Sequence, residues 1–235
     1  MTIKIENKCG YNDEEKLFLI IFIIAIDYIA TIYCILWFMK REKQIICMKI
    51  MAAVAVCAAG VALLVLADWG LDPLTNFEYA LSRKLHISLG QASMLFEGLT
   101  FFFFFFSNRK LVKFGSFAFC FGIGPCIDFW GYVFGFLEGQ GGFAFRMGCL
   151  ILGSLLIILS FAYYIPLNYG LQSLDMYSVS IASLLKKQYG VGLTITYCTL
   201  ILLAALLGVR PGIVTFVATF AYGAAIDGVR KLFKW

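Results

Sequence analysis

One histidine, His86, stands in 235 residues, and Asp, Glu, Lys and Arg together make up only 14% of the chain. A single imidazole excludes metal sites built from several histidines, and no P-loop or GxSxG sequence offers phosphate-binding or nucleophile chemistry. No catalytic residue, cofactor or metal is therefore expected, and the chain reads as a non-enzyme. None of its eight cysteines forms a CxxC pair, and most fall inside apolar runs, where a free thiol behaves as a small hydrophobe. Lys and Arg are missing from the interior of every long apolar run. That argues against an anion carrier unless helix N-termini do the binding. Charge this sparse is also well below the roughly 25% of an ordinary soluble domain, so the bulk solvent is a lipid bilayer.

What fills the chain instead is hydrophobic sequence: 62% of residues, with a mean hydropathy of +0.89. At roughly 20 apolar residues per crossing, hydropathy and breakers place seven spans near 17–39, 49–69, 89–107, 113–137, 146–168, 190–208 and 211–229. The run LTFFFFFFSNRK marks one boundary, its phenylalanines lipid-facing or packed between helices and its basic pair halting the crossing. The opening segment MTIKIENKCGYNDEEK is not that of a cleaved signal peptide, so the first span is read as retained. The net charge of +5 is spread over loops that flank spans, which speaks for topology and against nucleic acid. Twelve of the nineteen basic residues collect on one side, and the positive-inside rule then predicts an outside N-terminus and a cytoplasmic C-terminus.

An internal repeat organises the rest. Asp68-Trp69-Gly70-Leu71 aligns with Asn168-Tyr169-Gly170-Leu171, and the same offset pairs Leu74 with Leu174, Phe77 with Tyr177, Leu81 with Ile181 and Gly90 with Gly190. FGIGPCID, residues 121 to 128, aligns with FAYGAAID, residues 220 to 227. The linkers 70–88 and 169–189 are too polar to span, yet their apolar residues recur at helical spacing. Asp72 before Pro73 caps one linker helix, Ser173 with Asp175 starts the other, and Gly90 and Gly190 are expected to end them. These helices lie flat at the interface or dip inward; partial re-entry is favoured, because Gly70-Leu71-Asp72-Pro73 leaves its span without a long polar stretch. Each unit has three spans, so the second enters the membrane from the opposite side. The expected fold is an all-α polytopic membrane protein: an inverted repeat, residues 48–140 and 141–235, behind an N-terminal segment, 1–47, with one added transmembrane helix.

Acids inside such spans are costly in lipid and normally face a cavity or a partner. Asp27, Asp68, Glu97, Asp128 and Asp227 qualify, and Asp72 and Asp175 join them as acids at the linker-helix starts. Glu97 follows Gln91 and Ser93 on what reads as a polar stripe, suited to proton coupling or to holding a cationic group. Plainer readings exist: an ion pair of Asp227 with Arg230 or Lys231, a helix-end role for Asp68, and structural use of Asp128 beside the kink at Pro125.

The Gly-Leu-Asp-Pro-Leu segment, the LSxxxxISLGQ step, the Gly-Ile-Gly-Pro-x-Ile-Asp helix and NYGLQSLD together resemble the YczE/YitT group of bacterial integral membrane proteins over about residues 49 to 229. The resemblance implies a multi-pass protein of the bacterial cytoplasmic membrane, in a group described as candidate transporters without a common substrate. This chain departs from the simplest layout of the group by the added span with Asp27. The expected function is a small secondary transporter of a cationic or zwitterionic solute or an ion, its partners the bilayer and an unidentified small molecule or ion, with a homodimer or a membrane partner protein as further partners. The alternatives are a substrate-binding or assembly subunit of a larger complex and a channel.

Overall fold

The computed structural model describes residues 41–137, 142–187 and 189–233. The added span and its Asp27 lie outside the described residues, which are helical with no strand among them. Among the described residues eight α-helices follow in order: α1 Arg41–Ala67, α2 Pro73–Leu85, α3 Leu89–Ser107, α4 Phe114–Gly135, α5 Phe143–Tyr164, α6 Ser173–Leu185, α7 Tyr189–Leu206 and α8 Ile213–Phe233, with a 3-10 turn, Ile165–Leu167, after α5. Of these, α1, α3, α4 and α5 with its 3-10 extension are long and apolar enough to cross a membrane, while the apolar stretches of α6, α7 and α8 are shorter. Large apolar side chains such as Phe102, Phe103, Phe106, Leu155, Leu202 and Phe216 stand exposed on the outer surface, as a lipid-facing surface requires. The protein is a polytopic all-α membrane protein.

The two copies are related inversely. Their first helices, α1 and α5, run antiparallel: the Ser160 hydroxyl donates to the Ala53 carbonyl at 2.7 Å, Gly60 meets Gly153 in backbone contact, and Asp68 reaches Arg146. Backbone conformation repeats with the sequence offset. Asp68 and Asn168, Gly70 and Gly170, and His86 and Lys186 all have positive φ. At Gly70 and Gly170 a side chain is excluded as well: a Cβ would lie 2.7 Å from the Gly212 Cα in the first case and 2.6 Å from the Ser116 nitrogen in the second. Each linker therefore threads under the last span of the other copy. The Gly115 N–H donates to the Tyr169 carbonyl, and the Val214 N–H to the Trp69 carbonyl.

The linker helices dip into the protein. Leu74, Thr75 and Glu78 of α2 and Leu174, Asp175 and Ser178 of α6 are buried, whereas Arg83, Lys84, Lys186 and Lys187 at the far ends are exposed. Asp72 caps α2, with Pro73 in its first turn, as its sequence predicts. Gln172, and not Ser173, is the N-cap of α6. Gly90 and Gly190 do not end these helices, because the left-handed residues His86 and Lys186 already do. The Ile87 and Lys187 N–H groups reach back to the Ser82 and Ala182 carbonyls, a Schellman-type closure that satisfies the last turn before either glycine is reached. Both glycines fall instead in the first turn of the next helix.

Candidate functional site

The N-terminal halves of α2 and α6 line one cavity of about 740 Å³. Short helices placed this way aim their unpaired N–H groups, and the positive end of the helix dipole, into the interior. Both ends already carry a carboxylate from the chain itself. Asp72 Oδ2 accepts the Thr75 N–H at 3.2 Å. Across the copies, Glu97 of α3 caps α6: its carboxylate accepts the Ser173 hydroxyl at 2.6 Å, the Ser173 N–H at 3.3 Å and the Gln172 amide at 3.2 Å.

Beyond these caps, acceptors outnumber donors. Glu78 of α2 is 3% exposed, with the Ser93 hydroxyl beside its carboxylate; it lines the cavity, and its Oε1 has no hydrogen-bond partner among the described residues. Asp72 Oδ1 and Gln172 Oε1 stand in the same condition on the same cavity. Asp175 lines it too. No Lys, Arg or His is among the described lining residues, and the walls are apolar, with Ile123, Ile127, Ile157 and Phe161 prominent.

The predicted site residues that the structure describes fall in four places. Asp72 and Asp175 line the cavity, and Glu97 sits just behind it as a helix cap. Asp128 lies to one side, on the seam between α3 and α4, where Oδ2 accepts the Ser88 hydroxyl at 2.6 Å and Oδ1 the Gly90 N–H at 2.9 Å. Asp68 stands away from the cavity at the end of α1, exposed and 3.3 Å from Arg146. The backbone of Asp227 continues α8 one residue past Ile226, which lines the cavity; its side chain lies outside the described residues.

Glu78, Thr75 and Gln172 are cavity residues that sequence reasoning passed over, because they sit in linkers judged by their polarity. A signal existed: Glu78 lies four residues after Leu74, on the same helix face, and Leu74 pairs with Leu174 in the repeat.

Residues 42–231 match the profile of a family of unknown function, DUF6198. The chain belongs to this family. The DUF6198 match runs from the start of α1 into α8, so it takes in both half-helices and every cavity residue named above. No curated protein and no solved structure matches the chain.

Proposed function

We propose that this protein is a small secondary transporter of the bacterial cytoplasmic membrane, N-terminus outside and C-terminus cytoplasmic, that carries a cationic or zwitterionic solute or an ion by alternating access. The observation behind this reading is the unequal state of two equivalent seams around one cavity. On one side α3 and α4 are zipped shut by the Asp128 bonds to Ser88 and Gly90. On the other the cavity wedges between α7 and α8, with Gly190, Thr194 and Tyr197 on one wall and Thr219, Phe220 and Tyr222 on the other. Inverted repeats of unequal conformation are how such carriers present one site to two sides in turn. The resemblance to the YczE/YitT group agrees with it. Burial of Glu97 among neutral donors suits a carboxylate that takes part in proton coupling. No residue is assigned a catalytic role.

The test is uptake by proteoliposomes holding purified protein, with and without a pH gradient. Saturable uptake is expected, lost by at least about tenfold in Asp128→Ala because the Ser88 hydroxyl and the Gly90 N–H lose their acceptor and one seam no longer closes. Ligand binding without flux would make the protein a substrate-capturing subunit, and flux that never saturates would make it a channel; either result overturns the carrier reading.

A further inference from the structure

The cavity lining narrows the substrate further than the carrier reading does. Helix N-termini are ready-made anion sites, and two of them point into this cavity. Each is already occupied: Asp72 holds the start of α2, and Glu97 holds the start of α6. A substrate carboxylate or phosphate entering here would meet acids where it needs donors. Among the described residues it would find no Lys, Arg or His along the walls.

What the cavity offers is acceptors. Among the described residues, Glu78 Oε1, Asp72 Oδ1 and Gln172 Oε1 are buried without partners, and burying a carboxylate oxygen unpaired is expensive. A ligand with several N–H donors satisfies all three. An inorganic cation fits less well, since among the described residues no three Asp, Glu, Cys or His side chains come together as a metal cluster. A volume of about 740 Å³ is that of a site for a small organic molecule. The apolar wall of Ile123, Ile127 and Ile157 suits a hydrocarbon body, and Tyr197 and Tyr222 are aromatic residues of the same lining.

We propose that the cavity between α2 and α6 binds an organic cation of the ammonium or guanidinium type, its N–H groups on Glu78, Asp72 and Gln172, and discriminates against zwitterions and anions. The proposal rests on the transport reading for its physiological sense, but binding is measurable without flux.

Calorimetry on the purified full chain in neutral detergent tests it, with phenethylamine, putrescine and agmatine as cations. Phenylalanine and 3-phenylpropionate serve as the zwitterionic and anionic counterparts of phenethylamine. At least one amine is expected to bind with phenylalanine at least about tenfold weaker and 3-phenylpropionate silent. Glu78→Gln should weaken the amine by about tenfold or more, and Asp72→Asn, which keeps the N-cap because Asn caps as well as Asp, should weaken it while helix content stays unchanged. The proposal is overturned if none of the three amines binds at 10 mM, if phenylalanine binds as tightly as phenethylamine, or if both variants retain wild-type affinity. The same amines are then followed in proteoliposomes. Binding without flux sinks the carrier reading and leaves this one standing, whereas saturable flux of a zwitterion with no amine binding does the reverse.

Discussion

The seam between α3 and α4 and the seam between α7 and α8 descend from the same stretch of repeat, yet one is closed and the other holds a cavity. Gly90 and Gly124 let the first pair of helices come together backbone to backbone: a Cβ on Gly90 would lie 2.2 Å from the Gly124 carbonyl oxygen. Asp128 then ties the carboxylate of α4 to the first turn of α3. The second seam has the same pieces in its sequence, with Gly190 for Gly90 and Asp227 for Asp128, but a Cβ on Gly190 would meet none of the described residues within 4 Å. Gly90 and Gly190 thus sit in two different contact states among the described residues. The difference teaches that one repeated sequence can pack its seam tightly in one copy and leave room for a cavity in the other.

The largest effect is expected where the closed seam has no room. Gly90→Ala drives a methyl group into the Gly124 carbonyl and the Asp128 side chain, so it should cost about 2 kcal/mol or more in overpacking. Gly190→Ala meets none of the described residues within 4 Å in the first turn of α7, where Ala outranks Gly by about 0.5–1 kcal/mol in helix propensity. Thermal unfolding in detergent should therefore move down for the first substitution and slightly up for the second. A shift of the same sign and size in both would erase the distinction between the seams.

A smaller effect is expected at the carboxylate itself. Asp128→Ala leaves the Ser88 hydroxyl and the Gly90 N–H without their acceptor, a loss of about 1–3 kcal/mol for a charge-assisted pair. Cys57 lines the cavity and is 4% exposed. In a variant whose other cysteines are replaced, its reaction with a membrane-impermeant maleimide should accelerate in Asp128→Ala from the face that the α3–α4 seam blocks. Unchanged labelling would mean that the latch does not govern access.

The smallest effect belongs to Asp68, another acid of the apolar region. Its side chain is 79% exposed beside Arg146, and surface ion pairs contribute little. Asp68→Asn should change unfolding by no more than about 0.5 kcal/mol and leave binding and flux as they are. A large loss of flux would tie Asp68 to the route.

Much of this architecture was legible in the residues. The offset pairing of Asp68 with Asn168 and Gly70 with Gly170 reappears as paired positive φ values, because a linker that must turn back into the protein needs the same sharp turn in each copy. Asp72-Pro73 announced a helix start, since a capping acid and a residue without an N–H fit only that position. The six phenylalanines divide as expected of a helix between lipid and protein: Phe104 is buried against Tyr177, while Phe102, Phe103 and Phe106 face outward. The site was less legible. Glu97 reads as a lone acid in a span, and nothing near it in the sequence names Ser173, 76 positions away, as its partner. Glu78 reads as one more charge in a polar linker.

The sequence by itself determined the solvent, the helices, their inverse repetition and the positions where acids enter an apolar interior, because hydropathy, capping and internal similarity are local properties of the chain. Only the tertiary structure decided which acids share a cavity, which close a seam and which stay outside. Those roles depend on which helix end or glycine each carboxylate meets across the fold, and Asp128 on Gly90 or Glu97 on Ser173 is a meeting that packing alone creates.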